Sequence, residues 1–162
     1  MRRPIILLIS MLLVFSLSAC ANAASSNSGL MIADYSLDRQ AFGFYGSFAV
    51  TEDIKVGMEY AGDGSGELAA NILYQVAWGG LSSLDVGIGL SVTTPIRAYI
   101  VVRGVNYVSS KAFLHSSAAY KVSPSPSELK WSIGVGYDFS DTVFGVATYR
   151  DTGMTVGFGL RF

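Results

Sequence analysis

The chain has 162 residues, a formal net charge of −1 and one cysteine, with 51% hydrophobic and 14% charged residues. That length bounds it to a single domain, the charge gives nucleic acid no basic footprint, and a lone cysteine excludes an internal disulfide. Soluble domains average about 25% charged residues, so a chain this apolar either hides its faces in a core or shows some of them to lipid.

The first segment reads as a targeting signal. Arg2 and Arg3 precede the apolar run "IILLISMLLVF", Ile5 to Phe15, which has signal-peptide length and is too short to span a membrane as a helix. Two cleavage sites overlap. "LSAC", Leu17 to Cys20, resembles the bacterial lipoprotein box, which implies that Cys20 is a lipid anchor. "ANA", Ala21 to Ala23, fits ordinary signal peptidase. The expected organisation is a signal over 1–20, or cleaved near 23, a small polar linker over 21–29, and one domain over 30–162. Beyond the signal no apolar run reaches the roughly 20 residues of a membrane helix.

From there the hydrophobic period is two almost everywhere. "AFGFYGSFAV" sets Phe42, Phe44, Phe48 and Val50 against Gly43, Tyr45 and Ser47. "DIKVGMEYA" sets Ile54, Val56, Met58 and Tyr60 against Asp53, Lys55, Gly57 and Glu59. "ELAANILYQVAW" and "SLDVGIGLSV" continue the pattern, with Glu67, Asn71, Gln75 and Asp85 on the polar side. In "IRAYIVVRG", Arg97, Tyr99 and Arg103 oppose Ile96, Ile100 and Val102. "KAFLHSSAAYKV" is weaker, with Leu114, Ala118, Tyr120 and Val122 as its apolar face. "LKWSIGVGYDF" is clean, "VFGVATYR" is apolar on both faces, and "MTVGFGLRF" alternates again. Short turn signals separate the runs, so neighbours should be antiparallel hairpin partners in an up-and-down meander.

A soluble lipocalin-like barrel and a membrane barrel share this pattern with opposite orientation. Three features favour lipid. The polar face is dominated by Gly, Ser and Ala, which suit a crowded lumen better than a surface in water. Aromatics (Phe42, Tyr60, Trp78, Trp131, Tyr137, Phe139, Tyr149, Phe162) sit near the ends of the apolar faces, where a membrane girdle belongs. The runs are about nine to eleven residues long, enough to cross a bilayer at a steep tilt. The expectation is therefore an all-β, up-and-down antiparallel transmembrane β-barrel with short loops. Nine runs are firm, and a single-chain bacterial barrel needs an even number. "LMIADYSL", Leu30 to Leu37, is the candidate tenth strand, and eight strands is the fallback.

The stretch "GMTVGFGLRF" resembles the β-signal of bacterial outer-membrane proteins, and "GVGYDFSDTVFGVATYR" is similar to a hairpin of small OmpA- and porin-like barrels. This resemblance implies a bacterial outer-membrane location, contact with its lipid, and recognition of Phe158, Leu160 and Phe162 by the barrel-assembly machinery.

Parity turns Lys55, Arg97, Arg103, Lys121, Lys130 and Arg161 inward together with Asp53, Glu59, Glu67, Asp85 and Asp138. The near balance of sign points to a salt-bridged lumen filling the barrel, or to a narrow passive conduit for small polar solutes with weak selectivity. His115 lines the same face. "HSS", His115 to Ser117, resembles the His-x-Ser of outer-membrane lipid A deacylases, with Glu128 as the acid, but Ala118 stands where that family has Asn and His115 points inward. No enzyme activity, cofactor or metal site is expected: one His and one signal-boundary Cys do not make a ligand set. The competing classes are a structural or passive-pore barrel, a surface binding module, a lipid-modifying enzyme and a soluble carrier.

Overall fold

The computed structural model describes residues 29–61, 66–79, 82–92, 96–123 and 128–162. The signal peptide with Cys20, the linker up to residue 28, and parts of the "GDGSG", "GGLSS", "TTP" and "SPSPSE" turns lie outside them. Ten strands follow one another: β1 (Gly29–Ser36), β2 (Ala41–Ala49), β3 (Ile54–Ala61), β4 (Glu67–Gly79), β5 (Ser82–Ser91), β6 (Arg97–Tyr107), β7 (Ala112–Ser123), β8 (Glu128–Asp138), β9 (Val143–Arg150) and β10 (Gly153–Arg161).

Each strand pairs antiparallel with its neighbours in sequence, and β1 closes on β10 to complete a barrel. The seam runs from Leu30 opposite Arg161 to Ser36 opposite Thr155. One residue further, the Gly29 amide donates to the Phe162 carbonyl at 2.7 Å, and the Phe162 amide donates back to Gly29 at 3.1 Å. Closure leaves no sheet edge unpaired, which hydrocarbon demands because it offers backbone groups no partner. The tenth strand inferred from parity is β1, so the eight-strand fallback falls away. β1 begins at Gly29, one residue inside the predicted linker.

Strands run from 8 to 13 residues, a wider range than the periodicity suggested. β4 is the longest and carries a register shift between Gln75 and Ala77; β7 carries another against β6, where Val122 is left over between the partners of Ala98 and Tyr99. Such bulges bend a sheet into closure. Ten strands about 4.8 Å apart, tilted by about 40°, give a Cα radius of about 10 Å. Nine residues at about 3.3 Å each, tilted likewise, rise about 23 Å, close to the ~25 Å apolar band of membrane barrels.

The alternation decides the orientation. Ile88 and Phe158 are 67% and 68% exposed, whereas the inward Leu73 and Phe144 are 1% exposed. Ile72, Ile100, Ile133 and Val135 also face out. Aromatic side chains flank this aliphatic belt. Towards the end carrying the β1–β2 and β9–β10 turns (the loop end), Tyr35 packs on Phe42 and Trp131 on Tyr149. Towards the end where Gly29 meets Phe162 (the seam end), Tyr137 packs on Phe139 and Phe139 on Phe158. An outward apolar belt with aromatic borders is the surface of a transmembrane barrel and the inverse of a lipocalin-like one. The Trp78 side chain lies outside the described residues.

One turn has a specific lock. In the β1–β2 turn, Leu37 to Gln40, Gln40 adopts φ 50°, and the Asp38 carboxylate accepts the Met154 amide at 2.7 Å. The neighbouring Gly153 has φ 120°, a left-handed backbone suited to glycine, and an added Cβ there would strike Asp38. The turn is thereby tied across the seam to β10.

Candidate functional site

The inward faces of all ten strands meet in the lumen. Among the described residues, seven basic and six acidic side chains form eight ion pairs inside it, three of which (Arg103–Glu59, Lys121–Glu67 and Lys130–Glu67) join strands three or four places apart. Near the loop end, Glu67 on β4 lies 2.9 Å from both Lys121 on β7 and Lys130 on β8. Ser91, fully buried, hydrogen-bonds the same carboxylate. Lys121 also reaches Glu128 at 3.4 Å, and Glu128 pairs with Arg97 at 3.5 Å. Deeper in, Arg103 pairs with Glu59 at 3.1 Å and stacks over the Tyr45 ring, 4.1 Å from its centroid. Arg150 on β9 grips Asp34 on β1, spanning β10 between them. Towards the seam end, Lys55 pairs with Asp85 and Arg161 with Asp138, both at 2.9 Å.

These contacts contain Lys55, Glu59, Glu67, Asp85, Arg97, Arg103, Lys121, Lys130, Asp138 and Arg161, each of which parity turned inward. Asp53 differs: it is exposed in the β2–β3 turn, where its carbonyl accepts the Gln75 amide at 2.8 Å. A residue in a turn has left the strand alternation, so its parity carries no direction. Three members of the network were missed. Asp34 lies on the strand with the thinnest pattern, Arg150 ends a strand that is apolar on both faces, and Glu128 opens β8 directly after a Pro-Ser turn. Only an i, i+2 count carried across from the clean strands would have found them.

The lumen is also more apolar than the small-residue face suggested. Leu73, Tyr99 and Val101 form one buried cluster, and Phe113, Phe144 and Val146 form another, with Leu30, Ile32, Val105 and Tyr107 against it. The inward glycines make room for them. Phe113 lies directly opposite Gly136, Phe144 opposite Gly159, Tyr99 opposite Gly89 and His115 opposite Gly134. A Cβ at any of these glycines would run into the facing ring. Large side chains thus lie flat over neighbouring strands, and cross-strand glycine–aromatic pairing of this kind also fixes register. At the seam end Arg161 caps the cluster, 4.5 Å from the Phe144 centroid and 5.5 Å from that of Phe113.

A cavity of about 300 Å³ remains. Phe113, Phe144 and Val146 lie along it towards the seam end, and it extends to Asp151 and Thr152 in the β9–β10 turn at the loop end. His115 lines it, with Nε2 3.2 Å from Thr148 Oγ1. Ser117 Oγ lies 2.8 Å from Ser132 Oγ, and Glu128 is held by Arg97 and Lys121. No contact joins His115, Ser117 and Glu128 into a relay. No group of three or more His, Cys, Asp or Glu side chains among the described residues is placed to hold a metal ion. Of the strand-end residues matched to the β-signal, Phe158 and Leu160 point outward on β10, and Phe162 closes the seam with Gly29.

No protein-family model matches the chain, and no curated protein matches it. Two solved structures are similar in outline. A de novo designed transmembrane β-barrel superposes with a TM-score of 0.42 at 15% identity, over 85% of this chain and 98% of its own. Ail, the attachment invasion locus protein of Yersinia pestis, superposes with a TM-score of 0.31 at 13% identity, over 84% of this chain and 95% of its own. At these scores neither carries an argument about role, which rests on the geometry of the lumen.

Proposed function

We propose that this chain is a bacterial outer-membrane β-barrel with a structural role, whose lumen is at most a narrow, weakly selective conduit for small polar solutes. The observation that carries this reading is the network of eight ion pairs inside the barrel. A Cα radius of about 10 Å leaves a bore that inward Lys, Arg and aromatic side chains largely fill. Seven cations against six anions give no ring of one sign, which a selective pore would use. The chain contacts outer-membrane lipid through its apolar belt, and the barrel-assembly machinery reads Phe158, Leu160 and Phe162 during insertion. Catalysis forms no part of this reading.

Two measurements test it. The native protein should fractionate with the outer membrane, leave it only in detergent, and migrate faster on unboiled than on boiled gels. In planar bilayers it should give either no channels or small ones with weak ion preference. Large, stable, strongly selective openings would refute the closed lumen, and a detergent-free soluble protein would refute the membrane placement.

A further inference from the structure

The ion pairs along the cavity are asymmetric in what they show to it. Where Asp34 pairs with Arg150, the acid side chain is 7% exposed and the base 27%. Where Glu67 pairs with Lys130, the figures are 11% and 26%. Both pairs line the cavity. Arg161, at its apolar end, is 30% exposed, against 14% for its partner Asp138, which does not line the cavity. Two pairs run the other way: Arg103 with Glu59, at 17% and 38%, and Lys121 with Glu67, at 6% and 11%. Asp34 and Glu67 are therefore tucked behind Arg150 and Lys130, which with Arg161 are the cations the cavity shows most. In a site of low dielectric, that exposed positive fringe acts at short range on whatever enters. Below the fringe the wall is apolar and aromatic: Ile32, Val101, Phe113, Phe144 and Val146.

We propose that the cavity is a binding site for a small amphiphilic anion, an apolar body about the size of one aromatic ring or a short acyl chain bearing a single carboxylate. The volume of about 300 Å³ is at the lower end of ligand pockets, which excludes a whole phospholipid or a lipopolysaccharide acyl cluster. The apolar body lies against Phe113, Phe144 and Val146, and the carboxylate meets Arg150 and Lys130 on the side facing the loop end. Entry is past Asp151 and Thr152. The inference goes beyond the structural reading and rests on it only in taking the bore as largely filled by inward side chains.

His115 supplies the test, because it is the single histidine in the sequence and it lines the cavity. The full-length protein, labelled with ¹³C-histidine and held in nanodiscs at fixed pH, gives one reporter signal inside the barrel. Benzoate should move that signal saturably. Benzylammonium, matched in shape but opposite in charge, should bind about tenfold more weakly or worse, since like charges in such a site repel strongly. Benzyl alcohol should fall between them. Val146→Trp, which fills the cavity, should abolish the benzoate shift; if that variant does not fold, Arg150→Met should instead erase the preference for benzoate over benzylammonium. No saturable benzoate shift in the native protein, or equal binding of the anion and the cation, overturns the proposal. Bilayer conductance reports on lumen closure separately, so the two readings fail independently.

Discussion

Glu67→Gln is the substitution that asks most of the lumenal network. The side chain keeps its shape and loses its charge, while two ammonium groups at 2.9 Å lose the carboxylate they share. The two losses are unequal. Lys130 is 26% exposed, so its arm contributes about 0.2–1 kcal/mol, as partly solvated pairs do. Lys121 is 6% exposed, and stranding a buried charge costs about 3–5 kcal/mol. Glu128 still lies 3.4 Å from Lys121 and relieves part of that cost. The expected destabilisation is therefore about 3 kcal/mol. It is read from urea unfolding in lipid vesicles by tryptophan fluorescence, with an unchanged dependence on urea concentration. Lys121→Met in the Glu67→Gln background removes the stranded charge and should restore more than half of the loss, because replacing both members of a buried pair by neutral groups is close to neutral. A Glu67→Gln barrel within about 0.5 kcal/mol of the parent, below the scatter of ordinary surface substitutions, would mean that water reaches Lys121 and that this triad is not the buried anchor its distances describe.

Three other perturbations separate the parts of the argument. Ile133→Arg places a charge on the outer belt of β8 and should cost about 2–4 kcal/mol and lower the yield of inserted, heat-modifiable barrel; no effect would mean that this face does not meet hydrocarbon. Gly136→Val drives a Cβ into the Phe113 ring and should cost about 1–3 kcal/mol by overpacking, with Phe113→Leu recovering part of it in a double-mutant cycle; strict additivity would deny the contact. Deleting Phe162 removes both hydrogen bonds to Gly29 at the seam and should slow insertion in cells, seen by pulse-chase and gel mobility; insertion at the parental rate would remove Phe162 from the assembly signal.

The fold was legible because a period of two survives along most of the chain and because closure forces strand parity. β1 shows both halves of that argument. Its sequence, "GLMIADYS", carries no clear polar face, since Leu30 and Ile32 point into the lumen beside Asp34 and Ser36. Only the requirement that the sheet close called for it. The same property hid Asp34, and with it the Arg150 contact. The lumenal charges on clean strands, such as Arg103 and Lys130, could be placed inward one at a time, but which of them pair could not be read. Pairing depends on the stagger between strands and on reach across the bore: Lys121 and Glu67 are joined from β7 to β4, and Arg103 and Glu59 from β6 to β3.

The inward glycines carry the last step. In the sequence they stood for smallness, a lumen narrowed by backbone and sparse in side chains. In the barrel they lie opposite Phe113, Phe144, Tyr99 and His115, so each absent side chain makes space for a large one on the next strand. The same rings that glycine admits then form the apolar part of the cavity wall, and Arg161 stacks on two of them. Smallness on one strand and bulk on its neighbour are therefore a single packing device. It fixes register and narrows the bore towards the seam end, and the space it leaves is lined by rings on one side and by exposed cations on the other. The glycines thus set the shape of that space as well as the register of the strands around it.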